Sequence, residues 1–345
     1  MQSSHLSIFA ASFLSVLRVF LVCAAGTWLA RRGILKPEFR RELSRIILLL
    51  MLPCLLASKL SANANFQNLL AWGVLPLTAL VYVGLGMFLG RATVRVLRVP
   101  GRLNRVVTAA SAFGNSGYIP FPLVMAVEAT APMFRDDPGA ADRGIAYISV
   151  YLVGLSPMLW GIGFPYLSGK PLGHFRVKQV FSPPVCSVLA GIALGVIPPL
   201  RALFVASHAP FRVVMDTAEL IGMGAIPCAL LILGANLADA PTEAEGINHR
   251  PVAAVCLARL VVLPVCGIFI TLGLLHLDLI PRDPMCLLVL MIEASVPPAT
   301  NLIVMCQVHK RGEAAMSKIL VWTYIASVGT LTVFVALFQW ILGNI

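Results

Sequence analysis

Apolar stretches follow one another along almost the whole chain, with short polar connections between them. A helix that crosses the hydrocarbon core of a bilayer needs about 20 mostly apolar residues. The chain has ten such stretches, near residues 7–29, 43–60, 69–90, 104–127, 144–168, 183–200, 213–237, 251–275, 284–307 and 314–342. The pattern therefore predicts an all-α polytopic membrane protein with ten transmembrane helices. Because the longest connections hold only about a dozen or two residues, no soluble domain is expected.

The fourth and ninth stretches are interrupted at their centres by proline and small polar residues. The fourth contains GNSGYIP at residues 114–120, and the ninth contains SVPPATN at residues 295–301. A backbone group without a partner costs several kcal/mol inside a bilayer, so broken helices occur there only where protein or a watery cavity satisfies the freed groups. One such break in each half of a chain indicates the binding site of a transporter.

Proline motifs indicate an internal repeat. MLPCLL at residues 51–56 resembles AIPCAL at residues 225–230, and VLP occurs at both 74–76 and 262–264. Together with the two broken helices, these matches pair each helix with the one five places later, at offsets between about 174 and 188 residues. Because five is odd, the second copy enters the membrane from the opposite face. The spacing predicts two inverted five-helix repeats, 1–170 and 171–345, as in secondary transporters.

The overall composition agrees with a membrane protein. Hydrophobic residues make up 59% of the chain and charged residues 12%, which is more apolar surface than one soluble core hides. The net charge of +11 would suggest nucleic acid in a soluble protein, but 18 of the 26 basic residues fall in alternate connections, as in cytoplasmic loops. We therefore expect a lipid bilayer as partner, no nucleic acid, and both termini outside the cytoplasm. The residues leave open a plasma, bacterial inner or endoplasmic reticulum membrane.

Metal binding and catalysis are not indicated. The eight cysteines lie nearly all within apolar stretches, with no C-x-x-C pair and no histidine at ligand spacing, so we interpret them as packing residues. No phosphate loop, nucleophile elbow or other catalytic spacing is present, and no catalytic residue or bound cofactor is predicted. An intramembrane enzyme would need a catalytic pair facing one cavity. Glu293 is a candidate for one member, and it has no visible partner.

The two breaks are the candidate substrate site. After each break, the N-terminus of the next half-helix presents free N–H groups and about half a positive charge, which suits a carboxylate. Neutral polar side chains add donors and acceptors without burying an ion. We predict that Asn115 and Asn301 hold a substrate carboxylate in corresponding roles; the alternative is that these side chains only cap the breaks. The candidate residues are Gly114, Asn115, Ser116, Tyr118 and Pro120 in the first break and Ser295, Pro297, Pro298, Thr300 and Asn301 in the second.

Glu293 stands about one turn before the second break. An ionisable group at that depth of a membrane is a functional hypothesis by default. In one interpretation it binds a proton or Na⁺ whose movement is coupled to transport. In the other it is a structural partner of Arg259 or Arg18, the two basic residues within membrane segments.

Several motifs resemble the auxin efflux carrier family of membrane transport proteins. GTWLARRGIL at residues 26–35, followed by the leucine and proline at 52–53, resembles the start of that family. Three further blocks are most like its PIN-like branch: GNSG at 114–117, RGIAYIS at 143–149, and PPATN at 297–301 with WTY at 322–324. The resemblance extends over essentially the whole chain, and the last block is its most specific part.

The resemblance implies ten helices in two inverted repeats, with broken fourth and ninth helices that cross at mid-membrane, and a homodimer. It also implies transport of a small organic anion, such as auxin in plants or malate and malonate in some bacterial members. Only about 15 residues separate Lys170 from the next apolar stretch, so the large central loop of long PIN carriers is missing. An inside-negative potential drives an anion outward, which favours export. The alternative function is a sensor or receptor that binds a lipid or metabolite without moving it.

Overall fold

The computed structural model describes residues 2–66, 71–169, 181–238, 249–309 and 312–344. Apart from short 3-10 turns, its regular structure is helical: α1 Gln2–Arg31, α2 Pro37–Asn63, α3 Val74–Val96, α4 Asn104–Ala112, α5 Pro120–Glu128, α6 Ala140–Ser168, α7 Pro183–Val196, α8 Pro198–Phe204, α9 Arg212–Ala238, α10 Arg250–His276, α11 Pro284–Ser295, α12 Asn301–His309 and α13 Glu313–Leu342. The predicted repeat boundary at 170–171, and the basic residues of 170–180 and 310–311, lie outside the described residues.

Seven of these helices, α1, α2, α3, α6, α9, α10 and α13, are long and apolar enough to cross a membrane. Large apolar side chains such as Leu21, Leu49 and Leu220 are more than half exposed on them. Such a surface is stable in lipid, where every backbone polar group must be satisfied within the helix. The described chain is therefore that of an all-helical, multi-pass membrane protein.

The other three predicted segments are each divided into two shorter helices. The fourth is divided into α4 and α5, the ninth into α11 and α12, and the sixth into α7 and α8, which are bent by 97° at Ile197. Two prolines begin α8 directly after Ile197, and the residue before a proline is disfavoured in helical conformation. Ile197 accordingly has extended backbone angles, with φ of −80° and ψ of 112°.

Three of the long helices contain a π-helical turn that ends two residues before a proline. Ile47–Met51 in α2 precedes Pro53, and Leu159–Gly163 in α6 precedes Pro165. The third turn, Ala258–Val262 in α10, precedes Pro264. A proline inside a helix lacks the N–H group and clashes with the carbonyl four residues earlier. The wider turn accommodates this conflict without ending the helix.

Two close helix pairs join the first half of the chain to the second. α1 packs on the second half of α9, and α7 packs on the second half of α2. A Cβ added to Gly26 of α1 would lie 2.1 Å from the carbonyl oxygen of Leu231, and one added to Gly191 of α7 would lie 2.9 Å from that of Ala57. Ala57 and Leu231 are separated by 174 residues, the offset that relates the two LPC and IPC motifs. In both pairs, glycine lets the two backbones approach closely.

Close glycine contacts divide the described helices into two sets. One set, the four-helix group, comprises α1, α2, α7 and α9; the other, the crossing bundle, comprises α3 to α6 and α10 to α13. Wherever a Cβ added to a glycine of the described residues would come within 3 Å of another helix or of its end, both partners belong to the same set. Within the crossing bundle, α11 is buried from Met285 to Ser295, so it forms the centre of that set.

Candidate functional site at the crossing of two broken helices

The two breaks lie side by side and pair through their backbones. The N–H group of Asn115 donates to the carbonyl of Pro297 at 2.8 Å, and that of Ala299 donates to the carbonyl of Phe113 at 2.9 Å. A short antiparallel bridge results between Gly114 and the second proline of the other break. Each break thus satisfies unwound backbone groups of the other, in a region where lipid offers no partner.

One arginine caps the ends of two half-helices. Arg259 lies in the π turn of α10, and its side chain is 2% exposed. Its Nε donates to the carbonyl of Val296 at 2.8 Å and its Nη2 to the backbone carbonyl of Glu293 at 3.0 Å; its Nη1 makes a longer contact of 3.5 Å to the carbonyl of Ala112. These carbonyls end α11 and α4, where the helix dipoles carry partial negative charge. The planar five-donor guanidinium suits several acceptors at once.

Gly114, a predicted substrate-binding residue, makes room for this guanidinium. A Cβ at position 114 would lie 1.7 Å from Nη2 of Arg259 and 2.9 Å from the side chain of Val296. No side chain fits in that space. The absence of a side chain at Gly114 therefore lets the buried charge reach the crossing.

Asn115 bonds to protein groups with both of its side-chain atoms. The side chain is 5% exposed; its Nδ2 donates to the hydroxyl of Tyr324, and its Oδ1 accepts from the N–H group of Tyr118 at 3.2 Å. The Tyr324 hydroxyl in turn donates to the carbonyl of Pro298 at 3.1 Å. This chain of hydrogen bonds joins both breaks to α13. It corresponds to the capping alternative for Asn115.

The remaining predicted residues of the first break differ in exposure. Ser116 is 2% exposed, and its hydroxyl has no partner among the described residues. Tyr118 is half-buried and lines a narrow, mainly apolar cleft with Leu52 of α2 and Ile226 of α9. Pro120 is buried as the first residue of α5. The first break therefore borders the four-helix group through Tyr118.

The second break has a buried part and an accessible part. Ser295 donates to a carbonyl of its own helix at 2.8 Å, and Pro297 and Pro298 are buried beside the first break. Thr300 is half-buried and Asn301 is exposed, and within the described residues their N–H groups donate no backbone hydrogen bond. The N-terminus of α12 therefore presents accessible donors and the positive end of its dipole.

Comparison with known proteins agrees with this geometry. The family model described as "Membrane transport protein" matches residues 11–171 and 170–335. This chain belongs to that family. The prediction of auxin efflux carrier family membership is thereby confirmed.

Curated relatives cover nearly the whole chain. "Protein PIN-LIKES 1" of Arabidopsis thaliana is 29% identical over 99% of this chain and 82% of its own length, and "Protein PIN-LIKES 3" of the same plant is 26% identical over 98% and 99%. "Uncharacterized transporter YBR287W" of Saccharomyces cerevisiae is 23% identical over 90% and 91%. The similarity therefore extends over most of the length of these relatives, in agreement with the PIN-like resemblance.

The Glu293 side chain is fully buried in this protein. Neither of its carboxyl oxygens has a hydrogen-bond partner among the described residues. Arg259 donates to the backbone carbonyl of Glu293 and not to its carboxyl group. Arg18, the other proposed partner, lies on an exposed face of α1. Arg259 therefore contacts the backbone of Glu293, and the two predicted roles of the carboxyl group stay open.

Sequence reasoning missed Arg259 and Tyr324 as parts of the crossing. The sequence shows Arg259 as a basic residue inside an apolar segment, which points to Glu293 as its partner and not to the backbone of the breaks. Tyr324 belongs to the WTY block that carries the family resemblance. Both residues therefore stand out in the sequence, but the groups that their side chains contact lie far away along the chain.

Two groups of charges surround the outer ends of these helices. Arg143 of α6 pairs with Asp137 and, at 3.0 Å, with Asp283, which also accepts from the N–H group of Met285 and so caps α11. The hydrogen bonds from Arg143 hold the pKa of Asp137 below its usual value. These contacts fasten the start of α11 to α6 within the crossing bundle.

The second group connects the two sets of helices. Lys59 of α2 is 8% exposed and contacts Asp142 of α6 at 2.7 Å and Glu219 of α9 at 2.5 Å. Asp142 belongs to the crossing bundle, whereas Lys59 and Glu219 both belong to the four-helix group. The ammonium group is therefore shared across the boundary.

Proposed function

We propose that this protein is a secondary carrier that moves a small organic anion across its membrane by alternating access around the two paired breaks. The observation that carries the proposal is the crossing itself: two unwound segments pair in the middle of a buried bundle, one fixed guanidinium lies behind them, and an accessible helix N-terminus lies beside them. Membership of a membrane transport family supports the class of function.

The proposed architecture is ten membrane-crossing segments in two inverted five-helix repeats, residues 1–170 and 171–345. Two observations support it: the fourth and ninth segments break and pair with each other, and the α1–α9 and α7–α2 contacts both use glycine for close backbone approach. In this proposal both termini lie outside the cytoplasm and the protein forms a homodimer in a plasma, bacterial inner or endoplasmic reticulum membrane.

The crossing bundle is the proposed moving body and the four-helix group its scaffold. Glycine contacts join the helices within each set, while contacts between the sets include side-chain bonds such as Lys59 to Asp142 and Ser15 to the carbonyl of Ala126. Side-chain contacts re-form more readily than close backbone contacts. Movement along this boundary would therefore carry the crossing while preserving both internal packings.

The proposed substrate contact is a carboxylate at the N-terminus of α12. Thr300 and Asn301 offer backbone N–H groups there, and Asn301 adds an exposed amide. The corresponding turn of α5 offers fewer donors because Pro120 and Pro122 have no N–H group. Tyr118 provides an aromatic wall on the side of the four-helix group.

Either the membrane potential or a coupled ion would supply the energy. The potential is worth about 2.3 kcal/mol per elementary charge per 100 mV, and for an uncoupled anion it drives export. Glu293 is the proposed ion-binding residue for coupling to H⁺ or Na⁺, because it is a buried carboxyl group with unpartnered oxygens at the crossing.

The test is flux in liposomes that hold purified protein. Radiolabelled monocarboxylates and dicarboxylates, including indole-3-acetate, are offered under an imposed potential and an imposed pH gradient, and leakage into protein-free liposomes is subtracted. We expect saturable uptake of at least one acid that Asn301→Ala abolishes and that Asn344→Ala, at the exposed end of the chain, leaves unchanged. Binding without flux in the wild type would contradict the carrier and favour a sensor.

A further inference from the structure

The crossing contains one fixed positive charge and one carboxyl group that can gain or lose a proton. Arg259 stays protonated in proteins, and its guanidinium is held by the carbonyls at the ends of α4 and α11. Glu293 is 0% exposed, and both of its carboxyl oxygens lack a hydrogen-bond partner among the described residues. A buried carboxyl group in this state exchanges its proton according to the charges around it.

The groups that face Glu293 are few. Arg259 approaches from α10, and the phenols of Tyr82 in α3 and Tyr151 in α6 lie within electrostatic range. The hydroxyl of Ser116 faces the carboxyl group from the first break closely enough to interact with it, although the contact lacks the geometry of a full hydrogen bond. Tyr324 of α13 faces Arg259, and residues 120–127 of α5 include no titratable side chain. Among the described residues, the charge balance of the crossing is therefore set by Arg259 and Glu293.

Charge balance links the substrate to this carboxyl group. With Glu293 ionised and no substrate, the positive and negative charges of the crossing cancel. A bound monocarboxylate adds a second negative charge to a buried region, where like charges repel more strongly than in water. A proton on Glu293 restores neutrality, so the loaded crossing and the empty crossing then carry the same net charge.

A proton fits this site better than Na⁺ does. Secondary transporters with broken helices hold coupling cations at the backbone carbonyls of the unwound segments and at the C-terminal ends of the half-helices. Here the carbonyls of Ala112, Glu293 and Val296 accept hydrogen bonds from Arg259 instead. Among the described side chains at the crossing, the oxygens without a full hydrogen bond are those of the Glu293 carboxyl group and the Ser116 hydroxyl. A metal cation needs several oxygen ligands at once, whereas a proton needs one.

We infer that this carrier binds its organic anion together with one proton, which Glu293 takes from water when the anion binds and returns when it leaves. The inference rests on the proposed function and names the ion that accompanies the substrate. A monocarboxylate and a proton together carry no net charge, so transport would follow the pH gradient and not the membrane potential.

Binding to purified protein in detergent tests the inference without leakage through a bilayer. Affinity for radiolabelled indole-3-acetate and malonate is measured between pH 5.5 and 8.5, and a pH indicator counts the protons taken up. We expect wild-type affinity to fall with rising pH, by at most about tenfold per pH unit for one proton. About one proton should be taken up for each molecule bound at high pH.

Glu293→Gln imitates the protonated carboxyl group with almost no change of shape. We expect this variant to bind at high pH with the affinity that the wild type shows at low pH, and to take up no proton. The control Glu313→Gln removes an exposed acid near the start of α13 and should behave as the wild type. If Glu293→Gln fails to fold, the wild-type proton count decides alone.

Three results would overturn the inference. They are a wild-type affinity that is independent of pH, a dependence on Na⁺ in its place, or an unchanged pH dependence and proton count in Glu293→Gln. A wild type that binds acids without taking up protons remains an anion carrier, so only the coupling fails. If neither acid binds at any pH and the liposome panel shows no flux, the proposed function fails as well.

Discussion

The two breaks have similar composition but different surroundings. In the first, Asn115 is 5% exposed and its side chain bonds to Tyr324 and to the backbone of Tyr118. In the second, Asn301 is exposed at the start of α12. Two asparagines that occupy corresponding places in the sequence thus face different environments. The comparison suggests that one break holds the crossing together while the other offers donors to a ligand.

The flanking half-helices differ in the same way. α11, before the second break, begins with Asp283, whose carboxylate accepts from the N–H group of Met285. α4, before the first break, begins after Leu103 and has no side-chain cap. After the breaks, α5 begins with Pro120 whereas α12 begins with Asn301. The helix before the second break, α11, is therefore capped at its start, whereas the helix after that break, α12, begins with an exposed residue.

The largest expected effect is that of Gly114→Ala. The added methyl group would displace the guanidinium of Arg259, which then loses buried hydrogen-bond partners. Disrupting a buried charge in this way costs about 3–5 kcal/mol. We expect little folded protein after purification, as measured by size-exclusion chromatography and by the thermal unfolding midpoint in detergent.

Gly117→Ala is the matched control in the same break. No atom lies within 4 Å of a Cβ built at Gly117, and its φ is not in the left-handed region. We expect a normal yield and midpoint for this variant. Equal damage from the two substitutions would show that the break tolerates no side chain anywhere, and that Arg259 is not the reason.

A smaller effect on stability is expected to distinguish the substitutions of Asn115 and Asn301. Asn115→Ala leaves the Tyr118 N–H group without its partner and removes a donor to Tyr324, and each buried group left unpaired costs about 1–3 kcal/mol. Asn301→Ala removes an exposed side chain and should change stability by no more than about 0.5 kcal/mol. We expect Asn115→Ala to lower the unfolding midpoint, and Asn301→Ala to lose flux at an unchanged midpoint.

The opposite result for these two variants would exchange the roles assigned to the two breaks. If Asn115→Ala loses flux at a normal midpoint while Asn301→Ala keeps full flux, the ligand binds at the first break. Measuring both quantities on the same preparations prevents lost protein from being read as lost transport.

The smallest effect concerns the outer ends of the half-helices. Asp283→Ala removes the cap of α11 and a partly exposed ion pair with Arg143, which together contribute about 1–2 kcal/mol. Asn104→Ala, at the start of α4, should be nearly neutral because its side-chain oxygen has no partner among the described residues. Unfolding midpoints of the two variants check this difference. An equal decrease in both would show that the two half-helices are anchored alike.

Local signals in the sequence were enough to locate the helices and the breaks. Hydropathy is a property of neighbouring residues, so seven continuous helices lie where apolar stretches were predicted. Proline and glycine act on the backbone at their own positions, so both interruptions and the bend at Ile197 coincide with them. The positions of the helices, of both breaks and of the bend therefore depend mainly on neighbouring residues in the sequence.

The contacts at the crossing were beyond local reasoning. Arg259 and Ala112 are 147 residues apart, and Asn115 and Tyr324 are 209 apart. The sequence shows that Arg259 is buried in an apolar helix, but not whether it faces a carboxyl group or a row of carbonyls. Arg259 also lies within the π turn before Pro264, where the regular helical spacing of side chains does not hold. The different exposure of Asn115 and Asn301 likewise follows from packing between the two halves.

Lys59 has two carboxylate partners, and each belongs to a different set of helices. If the crossing bundle slides, Asp142 moves away, but Glu219 remains beside the ammonium group. A mostly buried lysine that lost its last counter-ion would oppose the motion strongly, whereas one that keeps a second partner gives up little. In the proposed motion, Lys59 would therefore keep one counter-ion throughout and add little to the electrostatic cost of moving the crossing bundle.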